Sequence, residues 1–241
     1  MLERKNAEPL YVQAQNILLA RIENEEYKVG EKIPSESELC KEFGISRMTV
    51  RAVLTELVRE GKLHRVQGKG TFVSEPKFVA SSMSYVGIRE QLEKQGYDVS
   101  TSVISIEVVN CPTTVAKIMG VRIDEQVYDI QRLRKVKDVP LSIHRSYVPV
   151  SLCPGLENHD FCNEQMCKIL SKDYNMCRTS VTETLESTLA SEEEAQLLHI
   201  GKGYPLLRLC DLISDRDGHI FEYSTVVFRG DKLQIRLQYG I

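Results

Sequence analysis

Residues 34–73 carry, in close succession, the signals of a helix, a tight turn and a second helix. Ser35 and Glu38 have the S-x-x-E spacing of a capping box, in which two side chains satisfy free backbone groups at the start of a helix. A three-residue turn follows, and Ser46 is placed to cap a helix over about 47–60. Two capped helices joined by so short a turn predict a helix-turn-helix.

The second helix has a buried stripe and is followed by a hairpin. Its apolar residues recur at i, i+3, i+4, i+7 and i+8, the spacing of one helix face: Val50, Val53, Leu54, Leu57 and Val58. Gly61 ends this helix in the manner of a C′ residue. Gly68-Lys69-Gly70 then separates two short apolar strands, which is typical of a β-hairpin. With a periodic helix that begins at Leu10, these elements predict a winged helix-turn-helix.

The whole chain is too long for this one small domain. Its 241 residues favour two domains, and 42% hydrophobic and 27% charged residues are ordinary for a soluble protein. No apolar run approaches the length of a membrane span, and the first ten residues lack the apolar core of a signal peptide. We therefore expect a cytoplasmic protein and exclude the classes of disordered, membrane and secreted proteins.

Cysteine and histidine spacing argues against a metal site. The seven cysteines are irregularly spaced with no C-x-x-C pair: Cys40, Cys111, Cys153, Cys162, Cys167, Cys177 and Cys210. The five histidines form no H-x-x-H or H-x-x-x-H pair. We expect free thiols, most of them packed as small hydrophobes, and neither metal nor cofactor. The alternative is that these cysteines act as a redox sensor.

Beyond a small, polar stretch the sequence changes character. We predict domains over 1–75 and 85–241, joined by a linker over 76–84. The second domain reads as α+β with a largely antiparallel sheet. Its expected strands are Val99–Val109, Gln126–Lys137, Leu141–Val148, Thr179–Leu189, Pro205–Ser214 and His219–Phe228. Its expected helices are Val86–Gln95, Thr113–Met119, Asn163–Lys172 and Glu192–His199.

The second domain also contains a half-repeat. Residues 79 positions apart are similar, as in Ala116 with Ala195 and Met119 with Leu198, and each copy reads helix, strand, tight turn, strand without a gap. The repeat predicts a pseudo-twofold domain. The alternative is two generic αββ segments that align by chance.

Charge is distributed unevenly in the first domain. The chain carries a net charge of -3, which by itself disfavours nucleic acid, and residues 1–75 hold 12 basic and 12 acidic residues. Residues 47–72, however, hold six basic residues and two acidic ones. This segment is the helix and hairpin that a winged helix applies to DNA. Arg47 and Arg51, at i and i+4, share the face opposite the buried stripe.

We assign nine residues to a DNA-binding surface: Ser35, Glu36, Ser46, Arg47, Thr49, Arg51, Gly68, Lys69 and Gly70. An arginine in the first turn of a recognition helix can bind guanine with two hydrogen bonds, and hydroxyls near a helix N-terminus suit phosphates. Glycines at the hairpin tip allow close approach of the backbone, where Lys69 adds charge. For Arg51 taken alone, an ordinary charged solvent face is an equal explanation.

The strings PSESELCKEF (34–43), SRMTVRAVLTELVREG (46–61) and GKGTFV (68–73) closely resemble the DNA-binding domain of the GntR family of bacterial transcription regulators. The resemblance implies that Arg47, Arg51 and a wing glycine, Gly68 or Gly70, contact the operator. Many members of that family carry Arg directly after P-S-E, where this chain has Ser37. We expect a weaker or absent contact there, and an altered operator.

In the second domain, Arg132 and Arg134 project from one face of a predicted strand, because they lie two residues apart. Two adjacent guanidinium groups repel unless an anion lies between them, and phosphate or carboxylate accepts bidentate bonds from both. The alternative is a pair of solvent-exposed arginines in ion pairs.

The strings QRLRKVKDVPLSIHRSYVP, VTETLESTLASEEEAQLLHI, GYPLLRL and DRDGHIFEYSTVVFRGD are similar to the UTRA domain, the effector-binding module of the HutC subfamily within GntR, which has a chorismate-lyase-like fold. The resemblance covers about residues 82–235. It implies that Arg132 and Arg134 hold a phosphate, that Ile88 and Arg89 add donors, and that further pocket residues are Tyr147, Glu183, Glu222 and Phe228.

One departure concerns the strand after the tight turn. Where UTRA domains usually have P-x-x-x-E, this chain has Pro140 and His144. An imidazole cannot replace a carboxylate that only accepts hydrogen bonds, so we expect an effector other than N-acetylglucosamine 6-phosphate. At the 79-residue offset His144 corresponds to Tyr223, which we add to the effector site. Alternatively, His144 is a satisfied polar residue on the pocket rim.

The sequence thus predicts a homodimeric transcription regulator, a repressor, on a palindromic stretch of double-stranded DNA. A small anionic metabolite, best matched by a sugar phosphate, would modulate its affinity. Two alternatives remain at this point: a lyase-like enzyme in the second domain, and a dimerisation module without effector. No nucleophile–base constellation supports the enzyme.

Overall fold

The computed structural model describes residues 8–75, 77–80 and 87–237. The chain divides into two compact units between Lys77 and Phe78, and each unit is described here by itself.

The first unit is a winged helix-turn-helix, as predicted. Its elements are α1 (Leu10–Glu23), α2 (Glu36–Phe43), α3 (Arg47–Arg59), β1 (Leu63–Val66) and β2 (Gly70–Val73). Ser35 and Glu38 form the predicted capping box of α2, and Ser46 accepts a hydrogen bond from the Thr49 backbone N–H at the start of α3. Gly61, with a φ of 73°, lies just after the end of α3.

The core of this unit confirms the buried stripe of α3. Val50, Val53, Leu54 and Leu57 are buried against α1, α2 and the hairpin, and Val58 is partly buried beside them. The segment before α2 joins the hairpin, because the Ile33 N–H donates to the Thr71 carbonyl. Packing on the inner side leaves the opposite face of α3 open to solvent.

The second unit is built on one six-stranded antiparallel sheet in the order β4-β5-β6-β9-β8-β7. Its strands are β3 (Phe78–Ala80), β4 (Val99–Asn110), β5 (Gln126–Val136), β6 (Val139–Pro149), β7 (Ser180–Leu189), β8 (Pro205–Ser214), β9 (Ile220–Arg229) and β10 (Leu233–Ile235). Its helices are α4 (Ile88–Lys94), α5 (Thr113–Met119), α6 (Met166–Asp173) and α7 (Glu192–Leu198), with a 3-10 turn at Leu156–Asn158. The predicted α+β class is confirmed.

The predicted linker needs correction at its centre. Residues 78–80 form β3, which pairs in parallel with β10, and Ala80 is fully buried. Phe78 packs edge-on against Tyr97, at 4.8 Å between ring centroids, so its aromatic surface draws the segment into the second unit. The other residues of the predicted linker, 76 and 81–84, lie outside the described residues, and Lys77 belongs to the first unit.

The pseudo-twofold is present, but the repeat contains a gap. Helices α5 and α7 begin and end at the predicted 79-residue offset, and the sheet is symmetric about β6 and β9. Lys137 and Asp138 form a two-residue turn with both φ values positive, whereas residues 215–219 make a longer one after a bulge. Arg134 lies opposite Ser142, and its counterpart at the 79-residue offset, Ile213, lies opposite Glu222. Because Glu222 is 80 positions after Ser142, the offset between the two halves grows by one residue in the last strand.

The gap corrects the predicted partner of His144. With an offset of 80 in the last strand, His144 corresponds to Ser224 rather than Tyr223. His144 lies opposite Val226, and Tyr223 lies opposite Tyr147. Because side chains alternate along a strand, His144 and Tyr223 lie on opposite faces of the sheet.

Candidate functional site

The open face of α3 carries two exposed arginines that share one acidic partner. Arg47 and Arg51 expose 68% and 58% of their side chains. Arg51 donates two hydrogen bonds, each of 3.1 Å, to the carboxylate of Glu36, the first residue of α2. The Arg47 Nε lies 3.8 Å from the same carboxylate. The hydrogen bonds from Arg51 lower the pKa of Glu36, so this carboxylate is ionised and orients both guanidinium groups.

The position that departs from the GntR pattern contacts one of these arginines. Arg47 Nη2 donates to Ser37 Oγ at 3.0 Å. An arginine at position 37 would instead place a third cation beside Arg47 and Arg51. In the structure, Ser37 instead accepts a hydrogen bond from Arg47 and adds no charge.

The predicted hydroxyls are already used in caps. Ser35 Oγ accepts from the Glu38 N–H and donates to the Glu38 carboxylate. Ser46 Oγ and Thr49 Oγ1 lie 2.8 Å apart and share a hydrogen bond. These residues shape the helix starts, and a contact with phosphate would come in addition to that role.

The hairpin tip closes a cavity of about 490 Å³ between the start of α2, α3 and the wing. Gly68 has a φ of 73°, which favours glycine, and Gly70 has a φ of 129°, which side chains rarely allow. A Cβ at Gly70 would lie 2.6 Å from Lys32 Cε. Lys32 and Arg65 also line this cavity, and neither is among the nine residues assigned to the DNA-binding surface. The excess of positive charge over 47–72 already pointed to Arg65.

A second cavity, of about 130 Å³, lies on one face of the sheet in the second unit. Strands β5, β6, β9 and β8 form its floor, and the start of α4 and residues 161–167 form its walls. We call it the arginine pocket. Seven of the ten predicted effector residues line it: Ile88, Arg89, Arg132, Arg134, His144, Glu222 and Phe228.

The other three predicted residues lie elsewhere. Tyr147 and Tyr223 stack on each other on the opposite face, with 6.4 Å between ring centroids. Glu183 lies on the edge strand β7, opposite Asp211, outside the residues that line the pocket. Tyr223 was assigned with the 79-residue offset, which no longer holds in β9, and Tyr147, which lies opposite Tyr223 in the sheet, was assigned from the family resemblance alone.

The two arginines of the pocket are buried, which decides against a solvent-exposed pair. Arg132 and Arg134 keep only 6% and 8% of their surface exposed. Burial lowers the pKa of both, to about 9 for Arg134, where the charges of Arg132 and Arg89 add to the effect. Both are cations at neutral pH, so the sheet holds two desolvated positive charges side by side.

His144 is a neutral side chain next to these cations. It is opposite Arg132 in the sheet register, and its ring Nε2 lies 2.9 Å from Ser142 Oγ. Burial lowers its pKa well below the usual value, and Arg134 and Arg132 lower it further. The imidazole thus adds no charge where UTRA domains usually carry a carboxylate.

The far end of the arginine pocket is acidic. Of the two carboxylates there, the sequence predicted Glu222 as a pocket residue but not Asp211. Burial raises the pKa of Asp211 to about 7, with smaller contributions from Glu183 and Glu222. Burial also raises the pKa of Glu222. The 79-residue offset matches Asp211 with Arg132, so the repeat already held the signal that this position faces the pocket.

Unsatisfied polar atoms concentrate in this pocket. Four buried side-chain atoms lack a hydrogen-bond partner among the residues that the structure describes: Thr101 Oγ1, Arg132 Nε, Arg134 Nε and Asp211 Oδ1. All four residues line the arginine pocket. Because such orphaned groups are costly and rare, they indicate a place where a ligand supplies the partners. The two Nε donors suit an anion, and Asp211 suits a hydroxyl or amine.

The cysteines are all free, as predicted, but fewer are buried than we expected. Cys111 and Cys153 are fully buried, whereas Cys167 and Cys177 are exposed. Within the described part of the chain, one group of three side chains has the spacing to hold a metal ion: Asp215, Asp217 and His219. There Asp215 Oδ1 accepts the backbone N–H groups of Asp217 and His219, which is the bonding of an ordinary turn.

No helix among the described residues is long and apolar enough to cross a membrane.

Comparisons with known proteins match both units. Residues 10–73 match the family described as bacterial regulatory proteins, gntR family, and residues 94–234 match the UTRA domain. The HTH-type transcriptional repressor NagR of Bacillus subtilis is 32% identical over 96% of this chain and 95% of its own length. The histidine utilization repressor of Pseudomonas putida is 31% identical, over 83% and 79%. In fold, the chain is similar to PhnF from Mycobacterium smegmatis, with a TM-score of 0.67, 21% identity and coverage of 96% and 99%.

Proposed function

Since the chain belongs to the GntR family of bacterial transcription regulators, and to its HutC subfamily with a UTRA domain, we propose that a sugar phosphate controls its affinity for an operator. The sugar phosphate binds in the arginine pocket. The chain is a DNA-binding transcription regulator of the repressor type and no enzyme, in agreement with its named relatives. It works as a cytoplasmic homodimer that presents two winged helices to a palindromic site.

The observation that carries the effector proposal is the set of unpaired atoms in the arginine pocket. Arg132 and Arg134 offer two buried Nε donors to one anionic group. A phosphate accepts several such bonds and removes the repulsion between the two cations. Sugar hydroxyls then donate to Asp211 and Glu222 at the other end, while neutral His144 either donates or accepts.

The DNA proposal rests on the open face of α3. Arg47 and Arg51 leave Glu36 and Ser37 to bind base edges or phosphates, and Lys69 follows the backbone from the wing. Exchange of one charged partner for another keeps these arginines satisfied in both states. Gly68 and Gly70 provide the close approach of the hairpin.

Binding of purified full-length protein to the DNA upstream of its own operon, measured by fluorescence anisotropy in about 0.15 M salt, tests the DNA proposal. Arg51→Ala should weaken specific binding at least about tenfold, the loss expected for one good base contact. Arg59→Ala is the matched control, because Arg59 lies on the same helix and pairs with Glu56 as Arg51 does with Glu36. No preference for upstream DNA over random DNA would refute the proposal.

Thermal unfolding against a panel of sugar phosphates, carboxylates and neutral sugars tests the effector. A ligand at 100 times its dissociation constant should add about 2.7 kcal/mol of stability. Carboxylates belong in the panel because one relative is named for histidine utilization. If no anionic metabolite stabilises the protein, the second unit is a dimerisation module without effector.

A further inference from the structure

One of the seven free thiols among the described residues lines the arginine pocket. Cys167 is the second residue of α6, and it is exposed. The Cys167 Sγ lies 3.8 Å from Gln165 Oε1, a weak contact that leaves the sulfur free to react. Cys167 lies in the first turn of α6, at the positive end of the helix dipole, where an attached anion is stabilised.

The second observation is the arginine pair beside this thiol. Cys167 lines the same pocket as Arg132 and Arg134. The Nε atoms of these arginines are buried and without a partner. An anion attached to Cys167 would therefore lie in the pocket that contains two donors without an acceptor.

We propose that Cys167 is a peroxide-sensitive modification site, and that its oxidised, anionic form occupies the arginine pocket and excludes the anionic effector. The exclusion rests on the effector site proposed above, whereas the reactivity of Cys167 does not. The thiolate sulfur attacks one oxygen of hydrogen peroxide, an S–O bond forms and the O–O bond breaks. The sulfur is oxidised by two electrons, the peroxide is reduced, and the leaving hydroxide takes the sulfenic acid proton to give a sulfenate and water.

Electrostatic selectivity of alkylation tests the site itself. Full-length protein is treated with a mixture of iodoacetate and iodoacetamide, and both products at Cys167 are quantified by peptide mass spectrometry. The same ratio, measured for Cys167 in concentrated urea, is the reference for a thiol without neighbours. We expect the anionic reagent to be favoured about tenfold in the folded protein, as for other sites that attract a charge. Equal ratios in both states would overturn the proposal, and this measurement needs neither DNA nor effector.

Peroxide sensitivity tests the consequence. Dimedone should trap a sulfenic acid on Cys167 of the wild type and of Cys177→Ser, which removes the other exposed thiol. In both proteins, peroxide should abolish thermal stabilisation by inorganic phosphate. In Cys167→Ser the response to phosphate, whatever its size, should be the same before and after peroxide.

The outcomes separate the two proposals. If phosphate and sugar phosphates never stabilise the reduced protein, the effector site is refuted and the alkylation ratio alone decides the reactivity of Cys167. If oxidised Cys167 leaves stabilisation by phosphate intact, or if dimedone labels Cys177 and not Cys167, the modification site is refuted.

Discussion

The role in binding proposed for Arg134 comes with a cost in stability. It is a buried cation whose Nε lacks an acceptor and whose pKa is lowered by burial and by Arg132 and Arg89. Replacement of buried charged groups by well-packed apolar side chains of similar volume is often neutral or stabilising, by up to about 4 kcal/mol. We therefore expect Arg134→Met to raise the free energy of unfolding and to abolish stabilisation by anionic ligands.

Urea unfolding with and without phosphate measures both effects of Arg134→Met. Arg122→Met is the control, because Arg122 is exposed and pairs only with Asp124, so its loss should change stability by less than about 0.5 kcal/mol. A fall in stability for Arg134→Met would contradict the idea that this arginine is kept for its ligand.

Asp211 makes the stability of the second unit depend on pH. Its folded pKa is raised to about 7 from an ordinary 3.8, so the folded state binds the proton more tightly than the unfolded state does. The stability that follows is complete below about pH 4 and is lost as the pH rises through about 7. Asp211→Asn should therefore match the wild type near pH 4 and exceed its stability at about pH 8, by up to roughly 4 kcal/mol. Urea unfolding across this range checks it, and parallel curves for the two proteins would count against it.

At the scale of elements, the same cap occurs once in each unit. Ser35 starts α2 and Ser191 starts α7, each in a complete capping box with a glutamate three residues on. Ser35→Ala and Ser191→Ala should each cost about 1 kcal/mol, because each leaves a backbone N–H at a helix start without its acceptor.

Hydrogen exchange followed by mass spectrometry separates the two caps. Each substitution should speed exchange in its own helix and leave the other unchanged. If Ser35→Ala weakens operator binding without faster exchange in α2, its hydroxyl acts on DNA directly, as the predicted DNA contact of Ser35 requires.

Elements were predictable where their signals are local. The span of α5, Thr113–Met119, follows from its apolar residues and flanking turns, and the prediction matches the structure at both ends. Strand β3 was missed, because its partner β10 lies far along the chain and no local pattern reports that pairing. The longer turn over 215–219 was also missed. The alignment of the two halves does not show how the strands pair, and only that pairing reveals where the second half has an extra residue.

In the arginine pocket, too, some residues were predictable from the sequence and others were not. Arg132 and Arg134 were predictable as a pair because two positions on one strand share a face. The acidity of the far end was not, since Asp211 has a raised pKa only through burial and through two carboxylates from neighbouring strands. Cys167 joins the pocket by the packing of α6, which the sequence does not encode locally.

At the scale of the whole molecule, the net charge of -3 is distributed unevenly between the two parts of the chain. The winged unit is neutral over residues 1–75, and the rest of the chain carries 19 basic and 22 acidic residues. Positive charge is concentrated over 47–72, so on the proposed DNA-binding surface the same segment would supply both sequence-independent attraction to DNA and the base contacts. Control by an effector then needs a difference in its affinity for two states of the protein, because equal affinity for both shifts nothing.

This requirement leads to a prediction about coupling. If a sugar phosphate weakens operator binding by some factor, operator DNA must weaken binding of the sugar phosphate by the same factor. Isothermal titration of the ligand into free protein and into the operator complex should give that equality. The control is Arg134→Met, which should lose the effect of the ligand on DNA altogether. If sugar phosphate still displaces DNA from that variant, the anion competes directly at the cationic face of α3, and the two units are not coupled through the pocket.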